Sequence, residues 1–466
     1  MFKKKSLPEV FAMEGLQNLS RLHKFNTSRY PFLLESCPDK NENNSENETS
    51  RYGILFAFPG QSLILNSAYC LEGIKIRQRH FLKSLDAWWD REKNTDRPHN
   101  LPFSGGWFLF LAYELASEIE PILNLPEPDQ NFPVAAAVRI PSAVINDYRH
   151  NRSYIIAERD HSENIHQMKI DLSSLNKHAN ENSNHTEKQN SRTEAPEEED
   201  EKNYIHSVRS AVEYIHAGDV FQVNLSRKWS APISENISSQ EIFQKLSETN
   251  PSPFSGIAVF SEGDIISSSP ERLIQVRERK IETRPIAGTR PRYRKQDDNN
   301  EQSYLKTNPK ELAEHRMMID LERNDLGKIC EFGSIAINEN MMLEKFAHVH
   351  HIVSVITGIL KKDITPGEII RAVFPGGTIT GCPKVRCMEI ISELEQEPRG
   401  AYTGSMGYLN LNGDMDLNIL IRTMVRIKDK IYFRAGAGIV ADSDPEKELE
   451  ETRAKAKGLV LSLKNL

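Results

Sequence analysis

Two kinds of hydrophobic pattern alternate along this chain. Short stretches in which apolar positions alternate with polar ones, or run unbroken between Gly, Pro and Asn, predict strands. In the first third these are Gly53-Ile54-Leu55-Phe56-Ala57-Phe58 and Val134-Ala135-Ala136-Ala137-Val138-Arg139-Ile140. Further on, Gly256–Phe260, Glu271–Arg277 and Ile431–Ala435 predict half-buried strands. Helical periods occur at Phe81–Asp90, Tyr204–Ala217, Lys310–Ile319, Pro383–Leu394 and Glu446–Leu461. Strands in succession with short turns, and helices after them, predict an α+β fold. Its antiparallel sheets would form a sandwich-like core with helices packed outside. No internal repeat is visible.

Composition divides this pattern. From about Asp160 to Lys202 the chain turns Asn-, Ser- and Glu-rich and ends in Glu197-Glu198-Glu199-Asp200-Glu201. Such a segment buries too little apolar surface to offset its ordering entropy. The expected organisation is an N-terminal region over 1–170, a disordered acidic linker over 171–202, and a catalytic domain over 203–466. A length of 466 residues with 38% hydrophobic content also favours two domains over one core. The polar patch Asp39–Asn47 predicts a loop.

Charge and cysteine usage narrow the class. A formal charge of −7, from 59 basic and 66 acidic side chains, excludes a general nucleic-acid binder, which needs a basic face. Five cysteines with no C-x-x-C pair fit reduced thiols rather than a disulfide or zinc framework. Basic residues open the chain, but Leu7-Pro8-Glu9 follows where a signal peptide would be apolar. The greasiest stretch, Gly106–Tyr113, is too short to span a bilayer. A cytoplasmic protein with no membrane contact is expected.

Candidate chemistry centres on two acidic pairs. Glu448 and Glu451 are three positions apart on a predicted helix that follows the glycine-spaced strand Gly436-Ala437-Gly438-Ile439-Val440. Glu311 and Glu314 have the same spacing on another. That spacing places each pair on one helix face. Either pair alone reads as solvated helix surface. Together they offer hard oxygen ligands of the kind that hold Mg²⁺.

The motifs, in their order, resemble the chorismate-utilising enzymes: component I of anthranilate synthase, component I of aminodeoxychorismate synthase, and the isochorismate and salicylate synthases. The resemblance covers Tyr204–Leu466 and rests on Gly218-Asp219-Val220-Phe221-Gln222-Val223-Asn224-Leu225, Ser269-Pro270-Glu271-Arg272 and Pro285-Ile286-Ala287-Gly288-Thr289-Arg290. It continues through Glu314-His315-Arg316, Asp320-Leu321-Glu322-Arg323-Asn324-Asp325 and Pro375-Gly376-Gly377-Thr378-Ile379-Thr380-Gly381 to the C-terminal acidic run. It implies chorismate as substrate and Mg²⁺ as cofactor, held between Glu314 and Glu451 with Glu311 and Glu448 beside them. It assigns the second substrate carboxylate to Tyr402, Arg422, Lys455 and the amides around Gly436 and Gly438. Glu271 matches the general acid, His351 contacts the region of the leaving hydroxyl, and Thr378 hydrogen-bonds the substrate. Arginine suits a carboxylate because its fork binds bidentately, and glycine lets backbone amides approach closely.

Two positions bear on the branch. Water-using members carry a lysine base where this chain has Gln222; an amide is no base near neutral pH. Ammonia is therefore the implied nucleophile, and a glutamine amidotransferase subunit the implied partner. Many aminodeoxychorismate synthases carry a lysine nucleophile where this chain has Ala287, and anthranilate synthases carry alanine there. Gln222-Val223-Asn224-Leu225, Pro253-Phe254-Ser255 and Pro375–Gly381 nevertheless resemble the aminodeoxychorismate branch. The expectation is component I of an aminodeoxychorismate synthase, with anthranilate synthase as the alternative. Glu35 and Ser36 match the start of a tryptophan site in relatives, whose Pro-Tyr-Met partner is missing here.

Overall fold

The computed structural model describes residues 7–36, 50–76, 78–94, 96, 99–129, 132–181, 195–291, 307–345, 349–464 and 466. Within these, side chains are described except at 176–181, 287–291, 309–311, 344–345 and 349–351. The strands that matter most are β1 (Phe32–Glu35), β2 (Tyr52–Ala57), β3 (Gly106–Leu111), β4 (Gln222–Pro232) and β5 (Phe254–Val259). They continue with β6 (Asp264–Ser269), β7 (Arg272–Arg277), β8 (Ser405–Asn410), β9 (Thr423–Ile427) and β10 (Lys430–Ile439). The helices are α1 (Phe81–Glu92), α2 (Glu163–Glu181), α3 (Glu201–Ala217), α4 (Ser239–Thr249), α5 (Pro309–Ile329), α6 (Lys384–Glu395) and α7 (Pro445–Lys464).

Among the described residues the strands form two antiparallel sheets, one of twelve and one of eleven. Period-two alternation explains how they stack. In β3, Phe108 and Phe110 point into an apolar layer shared with Phe32, Ile54 and Phe56 of the other sheet. Trp107, Leu109 and Leu111 point the opposite way, against Phe81, Leu85 and Trp88 of α1. A strand buried on both faces reads as an unbroken hydrophobic run, which is what Gly106–Leu111 is. Beyond the other sheet, Ile242, Phe243 and Leu246 of α4 pack with Leu459 and Leu463 of α7. The expected α+β architecture, sheets inside and helices outside, is what the chain adopts.

The halves on either side of the acidic stretch interleave. β1 pairs with β5, Leu34 opposite Gly256 and Leu33 opposite Ile257. β3 pairs with β8, Leu109 opposite Gly407. Both sheets therefore contain strands from both regions. The linker expectation needs correction at both ends. α2 reaches Glu181 and seats Met168 and Leu172 in the core beneath the first sheet. At the other end, Asp200 caps α3 by accepting from the Lys202 amide, and Glu198 receives the Arg453 guanidinium at 2.6 Å. Residues 182–194 lie outside the described residues. No helix among the described residues is long and apolar enough to cross a membrane.

Candidate active site

β4 and β10 pair with Asn224 opposite Gly438 and Ser226 opposite Gly436. The alternation of a strand puts Gln222, Asn224 and Ser226 on one face. The two glycines opposite them are matched to that face. A Cβ on Gly438 would lie 2.3 Å from Gln222 Nε2; one on Gly436 would lie 2.5 Å from the Leu225 carbonyl and 2.7 Å from the Tyr402 hydroxyl. Over this strand pair opens a cavity of about 280 Å³. Gln222, Asn224, Gly436, Gly438 and Tyr402 line one side. Glu271, Thr378 and Arg422 line it as well, and Glu314 of α5 with Glu448, Glu451 and Lys455 of α7 complete it. Segments more than two hundred residues apart thus converge as expected. The side chains of Glu311 and His351 lie outside the described residues.

Glu271 sits between β6 and β7, 5% exposed, and Thr378 Oγ1 donates to its Oε1 at 2.8 Å. Burial pushes its carboxyl up to about 8; the Thr378 bond pulls back, and the nearby Glu322 charge adds to the rise. At neutral pH Glu271 is therefore protonated, the form a proton donor needs. Thr378 holds the acid in place. Glu322 on α5 is also buried, accepts from Thr283 Oγ1 at 3.1 Å, and is pushed up to about 7, first by burial and then by Asp325.

The cations differ in how far they are committed. Lys455 Nζ is 2.7 Å from Glu451 Oε1 and donates to the Gly436 carbonyl at 3.0 Å. Arg422 lines the cavity, and among the described residues its guanidinium has no hydrogen-bond or ion-pair partner. Its backbone is left-handed, φ 51°. Burial pulls the guanidinium down to about 10, against the attraction of Glu271. A desolvated cation without a carboxylate is costly, and an anion entering the cavity would relieve that cost.

The acidic residues fit a hard cation by their chemistry. Glu314, Glu448 and Glu451 come to one cavity from two helices, and Ser443 Oγ donates to Glu448 Oε1 at 2.7 Å. Buried Tyr204 is pushed well up, first by its burial and then by the charge of Glu448, with Glu451 among the further causes. Among the described residues no three or more His, Cys, Asp or Glu side chains close into a metal cage. An open carboxylate set is the arrangement Mg²⁺ uses when water and substrate oxygens complete its octahedron.

The sequence profile described as chorismate binding enzyme matches residues 42–460. This chain is a member of the chorismate-binding enzyme family. Relatives of component I type carry the same likeness. An anthranilate synthase component I-like protein of Synechocystis sp. is 40% identical over 370 residues, 79% of this chain and 75% of that one. Anthranilate synthase component 1 of Thermus thermophilus is 34% identical over 441 residues, 92% and 91% of the two chains. Aminodeoxychorismate synthase component 1 of Bacillus subtilis is 38% identical over 375 residues, 79% of each. The crystal structure of anthranilate synthase component I from Streptococcus pneumoniae superposes with a TM-score of 0.75 at 31% identity, covering 91% of this chain and 95% of that one. The chain is thus a chorismate-utilising synthase component I.

Some residues of this chorismate-binding enzyme's site escaped the reading of its sequence. Glu395, at the end of α6, accepts from Arg399 Nη2 at 2.6 Å, Arg434 Nη2 at 3.2 Å and Ser226 Oγ at 3.0 Å, all of them buried. Arg399 lies against the Tyr402 ring, centroid 5.6 Å away. This network braces Tyr402 and the Ser226 end of β4 at the cavity wall, which Arg434 also lines. Only the i,i+4 spacing of Glu395 and Arg399 hinted at it, and such pairs are usually surface features. Asn224 and Glu322 were quoted within motifs without a role.

Glu35 and Ser36 line a different cavity, about 760 Å³, that among the described residues shares no lining residue with the first. Tyr148 donates to Glu35 Oε1 at 2.9 Å, and Ser36 Oγ donates to the Pro253 carbonyl at 2.7 Å. Phe254 lies beneath the Arg272 guanidinium, 5.0 Å from its ring centroid. Ser36 thus ties β1 to the segment leading into β5.

Proposed function

We propose that this chain is component I of an aminodeoxychorismate synthase, replacing the ring hydroxyl of chorismate by an amino group. The observation that carries an ammonia-using reading is Gln222: a buried amide that lines the same cavity as an acid protonated at neutral pH. No lysine stands there to activate water. For the branch, support comes from Gln222-Val223-Asn224-Leu225, Pro253-Phe254-Ser255 and Pro375–Gly381, and from the Bacillus subtilis relative.

In this reading Arg422, with Tyr402, Lys455 and the amides of Gly436 and Gly438, takes one substrate carboxylate. Glu314 and Glu451, flanked by Glu311 and Glu448, would hold a Mg²⁺ that supplies Lewis acidity at the other. Glu271 gives its proton to the departing hydroxyl, which leaves as water. Ammonia adds to the ring, and the ammonium so formed returns a proton to the Glu271 carboxylate. His351 keeps the role that the resemblance gives it, near the leaving hydroxyl. A glutamine amidotransferase subunit supplies the ammonia. The Glu35–Ser36 turn is a wall of the second cavity, where tryptophan would bind if this chain keeps the relatives' regulation.

A second reading has a specific observation behind it. Ala287 lies on a strand, Ile286–Pro291, whose pairing puts it opposite Ile352, and alanine there favours anthranilate as product. The Thermus thermophilus relative, which matches over 92% of this chain, carries that name. Purified protein incubated with chorismate, Mg²⁺ and ammonium, with products identified by mass, decides between them. Aminodeoxychorismate keeps its enolpyruvyl arm; anthranilate appears with loss of pyruvate. No consumption of chorismate overturns both. Glu314→Ala tests the cation site: turnover should collapse while the fold survives.

A further inference from the structure

The buried carboxyl of Glu322, 5% exposed on α5, is not among the described residues that line the cavity. It joins the two segments that carry and hold Glu271. Its Oε2 is 3.1 Å from Thr283 Oγ1, and the same hydroxyl is 3.1 Å from the carbonyl of Leu273, two residues beyond Glu271 on β7. Its Oε1 faces Gly377. A Cβ on that glycine would lie 3.4 Å from Oε1 and would run into Leu321, and the Gly377 amide donates toward the carboxyl. The residue after Gly377 is Thr378, which donates to Glu271 Oε1 at 2.8 Å. The charges nearest Glu322 are those of Asp325 and Lys384, which pair with each other at 2.5 Å. Hydrogen bonds therefore decide where this carboxyl sits.

We propose that Glu322 is a positioning residue for the acid: its carboxyl ties the Gly377–Thr378 turn to the start of β7 and so fixes the Thr378 hydroxyl against Glu271. This role rests on Glu271 as the proton donor, whichever product forms. The Thr283 hydroxyl has one proton and two acceptors in reach, so it satisfies both only when one of them can donate in return. A protonated Glu322 donates to Thr283 Oγ1, and Thr283 donates on to Leu273. Burial, then Asp325, push the Glu322 carboxyl up to about 7, so this arrangement is populated near neutral pH. Glutamine presents the same pattern permanently, a carbonyl on one side and a donor on the other.

The test compares Glu322→Gln with Glu322→Met, which keeps the length and has neither group. Ammonium-dependent turnover is measured across chorismate concentrations near neutral pH, with melts to check the fold. Glu322→Met should lower kcat about tenfold with KM for chorismate within about twofold, and Glu322→Gln should stay within about threefold of the parent kcat. In Thr378→Val/Glu322→Met the loss should fall well short of the product of the two single losses, because both changes cut one linkage. Equal losses in the glutamine and methionine variants overturn the proposal. So do an unchanged kcat in Glu322→Met, a rise in its KM as large as the fall in kcat, or losses that multiply in the double variant. If Glu322→Met does not fold, Thr283→Val cuts the linkage at its other end, and an unchanged kcat there overturns the proposal equally. A parent protein that consumes no chorismate, or a Glu271→Gln variant with full turnover, refutes the reading of Glu271 as the acid, an outcome visible before any Glu322 variant is made.

Discussion

Thr378 donates its hydroxyl to Glu271 across 2.8 Å, so the acid that lines the cavity is held by a residue from the Pro375–Gly381 loop. This bond lowers the carboxyl's pKa while burial raises it. The two residues act as one unit: burial keeps the proton on, and the threonine aims it.

Thr378→Val removes the opposing influence. The Glu271 carboxyl should rise above its present value of about 8, moving the alkaline limb of kcat, measured at saturating ammonia, to higher pH. The lost orientation should lower kcat about fivefold, as expected of one hydrogen bond worth roughly 1 kcal/mol. A pH–rate profile with an unmoved limb would separate Thr378 from the acid.

Stability should carry the same signature. Glu271 and Glu322 are raised from an ordinary 4.5 to about 8 and about 7. The folded chain therefore binds more protons than the unfolded one between these values. Their stabilising contribution is complete below the ordinary carboxyl range and is lost as pH climbs through the folded values. The melting temperature should fall between about pH 5 and 8, and Glu271→Gln/Glu322→Gln should flatten that slope. Thermal melts across the range check it.

Arg422→Met should separate binding from folding. The guanidinium is unpaired among the described residues, so its removal should leave stability unchanged or raised by about 1–2 kcal/mol. Chorismate affinity should fall about a hundredfold, as for loss of a charged hydrogen-bond partner. Calorimetry and a substrate titration read the two effects separately.

The two glycines of β10 should respond differently to alanine. At Gly436 the new Cβ meets the Leu225 carbonyl and the Tyr402 hydroxyl, which are held by the sheet and the packing behind it. The cost should be about 1–3 kcal/mol of stability. At Gly438 it meets the tip of the Gln222 side chain, which can rotate. Gly438→Ala should therefore cost less than about 1 kcal/mol yet depress ammonium-dependent turnover. Denaturant melts and initial rates on both variants give the comparison.

Strand and helix positions were readable wherever burial imposes a period. Gly106–Leu111 is apolar throughout because both of its faces are covered, and the helix expected at Phe81–Asp90 is α1. α2 was hidden for a physical reason. Ile165, Met168, Leu172 and Leu175 form a narrow stripe at helical spacing against the core, set in Asn, Ser and Glu that read as disorder. Asp171 on that helix accepts from Tyr30 at 2.6 Å and Arg29 at 2.5 Å, long-range contacts that no local pattern encodes.

The candidate site was legible where motif residues reach the cavity, as Glu271, Thr378, Arg422 and the α7 carboxylates do. What the sequence could not show is which polar atoms end up without partners. Asn224 reads as an ordinary strand residue until the cavity it lines is seen. Glu395, two basic residues and a serine form a closed network only because α6 ends beside β4.

Both walls of this molecule are laid with alternating courses from the two ends of the chain, joined where Leu34 faces Gly256 and Leu109 faces Gly407. A truncated polypeptide starting near residue 203 would carry nearly every residue of the reaction centre. It would also bare two raw sheet margins and half of an aromatic layer to water. Catalysis here cannot be separated from the part of the chain that performs none of it.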